Sequence, residues 1–210
     1  MNRAPDIKSI VFVIDDDASM REAMHRLFKS VGLHAEVFAS TAEFLLIKST
    51  DVPCCLVLDV RLKELSGLDF QDQLAKANVQ IPIIFMTGHG DIPMTVQAMK
   101  AGAIEFLPKP FREQDMLDAV RLGLEKDRLR RTAEKGIADV QAKVANLSQR
   151  EREVMALVAR GRMNKQIAGE MHLAEVTVKL HRGSVMRKMA AKSVADLVRM
   201  ADLAGIGKKS

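Results

Sequence analysis

Short runs of consecutive apolar residues alternate with longer amphipathic segments over the first 124 residues of the chain. The runs Ile10–Ile14, Cys54–Leu58 and Ile81–Met86 contain β-branched residues and are typical of strands buried on both faces of a parallel sheet. Ala35–Phe38 predicts a short strand, and Ala103–Leu107 predicts the fifth strand. Five strands that alternate with five helices predict an α/β domain with a parallel sheet and right-handed crossovers.

Polar residues mark the expected starts of the helices in this region. Ser19 with Glu22, and Ser40 with Glu43, have the spacing of a capping box. Asp91 is the expected cap of the helix that follows the fourth strand.

The pattern changes after residue 124. Residues 125–146 are rich in charge and alanine, and their apolar residues are too sparse for a core, so we expect a helical linker that is interrupted or weakened at Gly136. Ser148 and Glu151 form another capping box and open four closely spaced helices. The predicted organisation is a domain at 1–124, a helical linker at 125–146 and a small all-α domain at 147–210.

The four predicted helices are separated by short connections, and their expected bounds are 148–160, 164–171, 175–189 and 193–204. The connection around His172, Leu173 and Ala174 is very short. A tight turn between two helices is typical of a helix-turn-helix.

Charge is distributed unevenly between the two parts of the chain. Residues 1–124 hold 13 Lys and Arg against 17 Asp and Glu, a net charge of −4, whereas residues 125–210 hold 19 against 10, a net charge of +9. An acidic first part and a basic second part indicate two domains with different partners, with nucleic acid as the candidate for the second.

The longest apolar runs are too short to span a bilayer, and the amino terminus does not resemble a signal peptide, so we expect a cytoplasmic protein with no membrane partner. Cys54 and Cys55 are adjacent in a predicted strand and would point to opposite faces, so we expect packed core residues rather than a disulfide.

Polar residues follow four of the predicted strands. Asp15 and Asp16 follow the first strand, Asp59 the third, Thr87 the fourth and Lys109 the fifth. With the strand order 2-1-3-4-5, these strands are neighbours and their carboxyl ends meet at one edge of the sheet. Each residue alone is typical of a turn or a surface loop, but their coincidence at four strand ends favours a functional site.

The residue types at this edge suit phosphoryl transfer. Three close carboxylates repel one another unless a cation lies among them, and oxygen ligands suit Mg²⁺ or Mn²⁺. Asp59 is then a carboxylate nucleophile that forms an aspartyl-phosphate. Lys109 neutralises the phosphoryl oxygens, and the Thr87 hydroxyl donates to one of them.

Four sequence motifs resemble the signature of bacterial response-regulator receiver domains: Phe12-Val13-Ile14-Asp15-Asp16-Asp17, Leu56-Val57-Leu58-Asp59, Met86-Thr87-Gly88 and Phe106-Leu107-Pro108-Lys109-Pro110-Phe111. The resemblance covers about the first 124 residues and implies a flavodoxin-like (CheY-like) five-stranded fold. It implies that Asp15, Asp16, Asp59 and the backbone carbonyl of Arg61 bind the metal, and that Asp59 is the phosphoacceptor.

The resemblance also implies a switch. Thr87 and Lys109 correspond to the phosphate-sensing pair, Phe106 to the rotating aromatic residue, and Lys109–Pro110 to a cis peptide bond. The segment from His89 to Met94 is similar to the FixJ-like subgroup. The loop Arg61-Leu62-Lys63-Glu64 departs from the family because it lacks the usual Met-Pro after the acceptor.

The second half contains three motifs that resemble a LuxR-type helix-turn-helix over residues 148–204: Asn164–Ala168, Glu175–His181 and Val185–Met189. Val178, Val185 and Met189 share one face of the third helix and should be core residues. The candidate DNA-binding residues are Lys165, Val176, Thr177, Lys179, Leu180, Arg182, Arg187 and Lys188. Val176, Lys179 and Arg182 are expected in the major groove, and Lys165, Arg187 and Lys188 at phosphates.

The sequence therefore predicts a transcriptional response regulator of a two-component system. A sensor histidine kinase phosphorylates Asp59, the chain forms a homodimer, and the dimer binds promoter DNA, with RNA polymerase as a further candidate partner. The candidate dimer contacts are Val96, Met99, Lys100 and Arg112. The only expected catalysis is the receiver's own phosphotransfer and dephosphorylation.

Two alternatives remain from the sequence. One is a Mg²⁺-dependent phosphatase with an aspartyl nucleophile, but Arg61 stands where such enzymes carry a second Asp as general acid. The other is a DNA-binding regulator that does not depend on phosphorylation and has a vestigial pocket, which the complete set of pocket residues argues against.

Overall fold

The structure is a computed structural model that describes residues 8–47, 50–63, 65–88 and 92–207 of the 210-residue chain. The chain divides into two units, Met1–Arg131 and Thr132–Ser210. In the described part of the chain, no helix has the length and apolar character needed to cross a membrane.

The first unit contains a five-stranded parallel sheet, as the apolar runs predicted. Its strands are β1 (Ile10–Ile14), β2 (His34–Phe38), β3 (Cys54–Asp59), β4 (Ile83–Thr87) and β5 (Glu105–Pro108). The strand order is β2-β1-β3-β4-β5, which confirms the predicted order and places β3 at the centre. Every residue of β1, β3 and β4 is buried, because both faces of these strands are covered by apolar side chains from the helices.

The first unit contains α1 (Ala18–Ser30), α2 (Thr41–Leu45), α3 (Gly67–Lys76) and α4 (Ile92–Lys100), and α5 (Glu113–Ala145) begins in the first unit and ends in the second. Ser40 caps α2 as expected, but the predicted cap at Ser19 is wrong. The Asp17 carboxylate accepts a hydrogen bond from the Ser19 N–H at 2.8 Å, so α1 begins one residue before Ser19. The predicted cap Asp91 lies outside the described residues.

Helix α5 does not end at residue 124. The segment 125–145 is helical, as predicted, but it continues the preceding helix and is not interrupted at Gly136. The helix runs unbroken for 33 residues through the whole of 125–145. The cost of one glycine in a helix interior, about 1 kcal/mol, is too small to break a helix whose ends are packed. Val140, which we expected outside a core, is buried in the core of the second unit.

The second unit contains α6 (Gln149–Ala159), α7 (Asn164–Met171), α8 (Glu175–Lys188) and α9 (Val194–Leu203), each within one residue of its predicted ends. Ser148 and Glu151 form the predicted capping box. Between α7 and α8, His172 adopts the left-handed conformation with φ 54°, which turns the chain within a few residues. Val178, Val185 and Met189 are fully buried, as predicted.

A buried carboxylate attaches α5 to the amino-terminal end of β3. The Asp127 side chain is fully buried and accepts hydrogen bonds from the Cys54 N–H at 2.9 Å and from Arg131 Nε at 2.6 Å. Arg131 also donates to the Thr50 carbonyl at 2.8 Å, and Arg130 pairs with the other Asp127 oxygen. The contacts of α5 with the sheet therefore continue seven residues beyond the predicted boundary at 124.

The two cysteines are free and buried, as expected for core residues. Burial, together with the nearby Asp127 carboxylate, raises the pKa of the Cys54 thiol to about 11. Burial also raises the pKa of the Cys55 thiol. Both therefore remain protonated thiols and weak nucleophiles at neutral pH.

We predict that Asp127→Ala destabilises the first unit by about 3 kcal/mol, because it removes the buried carboxylate that accepts from the Cys54 N–H and pairs with Arg130 and Arg131. Hydrogen exchange of β3 peptides in the full chain during urea unfolding measures the loss. The matched control is Glu125→Ala, which removes an exposed pair with Arg128 on the same helix and should cost less than about 1 kcal/mol. Equal effects of the two substitutions would contradict the assignment.

Candidate functional site

Three acidic side chains meet at the carboxyl edge of the sheet, as the sequence predicted. Asp15 and Asp59 are buried and Asp16 is half-buried, and one carboxylate oxygen from each lies within 4.8 Å of the other two. β1 and β3 are adjacent in the sheet, and Asp15 and Asp59 directly follow the paired residues Ile14 and Leu58. The parallel register therefore brings these carboxylates together.

Lys109 is the cation of this cluster. Its Nζ atom lies 2.7 Å from Asp15 Oδ2 and 2.7 Å from Asp59 Oδ2. Burial raises the pKa of the Asp15 carboxyl, although the hydrogen bond from Lys109 opposes this effect. Burial alone would lower the pKa of the Lys109 ammonium, but its hydrogen bonds to the two carboxylates outweigh burial and raise it. Lys109 is therefore positively charged at neutral pH.

The chain around Asp59 is fixed by its own backbone. The Arg61 N–H donates to Asp59 Oδ1 at 2.9 Å, and the Gly67 N–H donates to the Val60 carbonyl at 2.9 Å. A Cβ atom at Gly67 would lie 2.5 Å from the Asp59 carbonyl oxygen, so any larger residue at this position would displace the acceptor. The role of the Arg61 carbonyl as a metal ligand stays a prediction.

The predicted sensing pair is joined through the backbone. Thr87 is buried at the end of β4, and its carbonyl accepts a hydrogen bond from the Lys109 N–H at 2.6 Å. The peptide bond between Lys109 and Pro110 is cis, as predicted. Phe106 is already buried, 8% exposed, with its ring centroid 6.1 Å from that of Phe85. The ring is thus in the inward position in this structure, and its rotation stays a prediction.

The candidate dimer contacts lie on the surface of α4 and at the start of α5. Val96 and Met99 are exposed apolar residues on α4, and Ile92, which the sequence analysis missed, lies one turn before Val96 and is 81% exposed. Lys100 is exposed at the end of the helix. Arg112 donates two hydrogen bonds to Asp115, at 2.6 and 2.8 Å, so its guanidinium has an intramolecular partner.

The amino-terminal half of α8 presents most of the predicted DNA-binding side chains to solvent. Val176, Lys179 and Leu180 are exposed, and Thr177 is half-buried. Lys179 pairs weakly with Glu175, at 3.6 Å. An exposed apolar residue such as Leu180, 71% exposed, is unusual on a helix of so small a domain and is consistent with a contact surface.

The remaining basic candidates differ in their surroundings. Lys165 on α7 and Arg187 on α8 are exposed. Arg182 is half-buried, and its Nη1 atom donates to Asn164 Oδ1 at 2.7 Å, which links α8 to the start of α7.

Lys188 has intramolecular partners, and its expected phosphate contact stays a prediction. Its Nζ atom donates to Glu151 Oε2 at 2.7 Å and to the Asn146 carbonyl at 3.3 Å. Glu151 also accepts from Ser184 Oγ at 2.7 Å and from the Ser148 N–H at 2.7 Å. Hydrogen bonds from Lys188, Ser184 and Ser148 lower the pKa of Glu151 to about 2. Lys188 therefore anchors α8 to α6.

The acidic cluster at the edge of the parallel sheet and the exposed side chains of α8 define a class of protein. It has an α/β domain of the phosphoacceptor type followed by a helix-turn-helix domain. Residues 11–121 match the response regulator receiver domain, and residues 145–201 match the bacterial regulatory proteins of the luxR family. The chain belongs to the two-component response regulators that carry a LuxR-type DNA-binding domain.

Individual relatives agree with this assignment along nearly the whole chain. Nodulation protein W of Bradyrhizobium diazoefficiens is 57% identical over 199 residues, which cover 95% of this chain and 88% of that protein. The transcriptional regulatory protein FixJ of Azorhizobium caulinodans is 41% identical and covers 93% of each chain.

Two solved structures are also similar along most of this chain. The response regulator StyR matches with a TM-score of 0.84 and 48% identity, over 93% of this chain and 98% of that chain. Full-length FixJ from B. japonicum matches with a TM-score of 0.56 and 37% identity, over 94% and 98%. The relatives thus place the chain among FixJ-like regulators.

We predict that Lys188→Met lowers the stability of the second unit, whereas Arg187→Met weakens DNA binding. Lys188→Met leaves the Glu151 carboxylate without its cation and should lower the free energy of unfolding of the second unit by about 1–2 kcal/mol, a range that allows for the partial exposure of Lys188. Arg187→Met should preserve stability but weaken binding to random-sequence DNA and reduce its salt dependence by about one phosphate contact. Hydrogen exchange of α8 and DNA titrations at several salt concentrations measure the two effects. Loss of stability from Arg187→Met alone would contradict this division.

Proposed function

We propose that a sensor histidine kinase transfers a phosphoryl group to Asp59, and that phosphorylation favours a homodimer that binds promoter DNA. The observation that carries this proposal is the geometry of Asp59. Its carboxylate ends the central strand, within 4.8 Å of two further carboxylates, and its Oδ2 atom lies 2.7 Å from the Lys109 ammonium.

The transfer step needs a nucleophile and positive charge. One Asp59 carboxylate oxygen forms a bond to phosphorus while the phosphorus–nitrogen bond of the kinase phosphohistidine breaks, and the electron pair of that bond stays on the histidine nitrogen. The Lys109 ammonium neutralises negative charge on the transferred phosphoryl group. Because Lys109 also contacts Asp15, it is held in place before the donor arrives.

The acidic cluster fits a divalent cation. It offers only carboxylate oxygens, which Mg²⁺ and Mn²⁺ prefer, and three of them converge. Asp15, Asp16 and Asp59 would hold the ion, with the Arg61 carbonyl as a further ligand. When bound, the ion supplies additional positive charge for the phosphoryl oxygens.

The receiver is proposed to catalyse only reactions of its own aspartate. A phosphatase acting on other substrates through an aspartyl nucleophile needs a nearby acid to protonate the leaving group, and Arg61 does not serve this purpose. A vestigial pocket is also disfavoured, because the buried charges of Asp15, Asp59 and Lys109 cost stability and are typical of a functional site.

The phosphoryl group is read by Thr87 and Lys109. Because the Lys109 N–H binds the Thr87 carbonyl, a movement of either residue is transmitted to the other. Thr87 precedes the loop that leads to α4, so drawing its hydroxyl toward the phosphoryl group would shift the start of α4. The exposed apolar stripe of Ile92, Val96 and Met99 then becomes the centre of the pairing surface, with Lys100 and Arg112 at its rim.

Pairing of two receivers brings two α8 helices to one DNA site. Val176, Lys179 and Leu180 face outward on the amino-terminal half of α8, the part of a recognition helix that contacts base edges. Lys165 and Arg187 contact phosphates, and Arg182 contributes while bound to Asn164. We expect a palindromic site with half-sites about one helical turn apart.

The partners follow from this chemistry. They are a cognate sensor histidine kinase, promoter DNA and a second copy of the chain, with RNA polymerase as a further candidate at the promoter. Since promoter DNA is cytoplasmic in bacteria, we propose a cytoplasmic location.

Asp59→Asn should accept no phosphate, because the amide is not a nucleophile of comparable strength. Intact-mass analysis after treatment with acetyl phosphate and Mg²⁺ measures the outcome. Asp72→Asn, on the exposed surface of α3, is the control and should be phosphorylated normally. Normal phosphorylation of the Asp59 variant would overturn the assignment of the acceptor.

Thr87→Ala should accept phosphate but fail to dimerise, because the methyl group cannot donate to the phosphoryl oxygen. Sedimentation velocity of the phosphorylated variants measures the outcome, and Thr87→Ser, which keeps the hydroxyl, should dimerise as the wild type does. A phosphorylated wild type that stays monomeric, or a Thr87→Ala variant that dimerises normally, would rule out this switch.

A further inference from the structure

Lys63 contacts the acidic cluster from the loop between β3 and α3. Its Nζ atom lies 3.3 Å from Asp16 Oδ2, and the Lys63 side chain is 79% exposed whereas that of Asp16 is 27% exposed. Lys63 is four residues beyond Asp59, in the segment where the chain departs from the Met-Pro of its family.

The ends of this loop are anchored next to the acceptor. Arg61 and Ser66 pair as an antiparallel bridge, and the Arg61 N–H is bound to Asp59 Oδ1. The Ser66 side chain caps α3 by accepting from the Leu68 N–H. The anchored ends limit the region that the Lys63 backbone can sample, next to the acidic cluster.

Two lysines divide the three carboxylates between them. Lys109 contacts Asp15 and Asp59 at 2.7 Å, whereas the ion pair that the structure gives Asp16 is with Lys63. Because an ammonium and a divalent cation attract the same carboxylate and repel each other, Asp16 cannot bind both with full strength.

We propose that Lys63 is an internal counter-ion that competes with the divalent cation for Asp16. This inference rests on the proposed metal site of Asp15, Asp16 and Asp59. Lys63 lowers the affinity of the receiver for the cation and so raises the cation concentration at which the acceptor becomes competent. It acts through Asp16 and is a positioning residue, since it does not contact Asp59.

The proposal is tested by direct measurement of Mn²⁺ binding to the full-length chain, from the electron paramagnetic resonance signal of free Mn²⁺. Lys63→Gln should lower the Kd for Mn²⁺ by about two- to fivefold at low salt, which corresponds to the usual strength of an exposed ion pair. The difference should shrink at high ionic strength, because salt screens exposed charges.

Two control variants separate charge from structure. Lys63→Arg keeps the positive charge and should keep the wild-type Kd, and Lys76→Gln removes an exposed lysine at the end of α3 and should also leave the Kd unchanged. A Kd that is unchanged or increased in Lys63→Gln overturns this inference alone. A wild-type chain that binds no Mn²⁺ overturns the proposed metal site and the inference with it.

Discussion

The first unit depends on the neutralisation of three carboxylates that the sheet forces together. A parallel register that buries Asp15 and Asp59 side by side brings like charges close in a region of low dielectric, which would destabilise the fold if nothing opposed it. Lys109 opposes it through two hydrogen bonds of 2.7 Å, and its position at the end of β5 is fixed by the backbone contact to Thr87. Such a cluster contributes less to stability than apolar residues of the same volume would, so its presence at the sheet edge is better explained by chemistry than by folding.

The central strand is held at both of its ends by carboxylates with different roles. At its carboxyl end, Asp59 belongs to the acidic cluster and pairs with Lys109, while at its amino end the fully buried Asp127 binds the Cys54 N–H and two arginines of its own helix. The position of Asp59 could be predicted from the sequence, because an acidic residue directly after a run of apolar residues interrupts the apolar pattern. The role of Asp127 could not be predicted, because Asp127 lies in a run of four consecutive charged residues at 125–128. Such a run does not distinguish a buried carboxylate from an exposed one such as Glu125.

In the second unit as well, features that depend on local sequence patterns could be predicted, whereas contacts between residues far apart in the sequence could not. Helix bounds, the tight turn and the buried Val178, Val185 and Met189 follow from apolar periodicity and capping residues, which are local signals. The intramolecular partner of Lys188 is Glu151, 37 residues away, and no local pattern shows that a basic residue near the end of a helix pairs with a buried acid. Arg182 and Asn164 are a similar case. Contacts between charged residues far apart in sequence depend on the packing of the helices and become visible only in the structure.

The contacts of Glu151 hold the carboxyl-terminal half of α8, whereas the amino-terminal half of α8 carries exposed side chains. Beyond Gly183, Ser184 and Lys188 bind Glu151 and Val185 is in the core, whereas Arg187 is exposed. Before Gly183, Val176, Lys179 and Leu180 face solvent. A helix that is fixed at its carboxyl half and exposed at its amino half has the geometry required of a recognition helix, whose first turns enter the groove while the rest holds the angle of approach. Glu151 therefore fixes the carboxyl-terminal half of α8 through its bonds to Ser184 and Lys188.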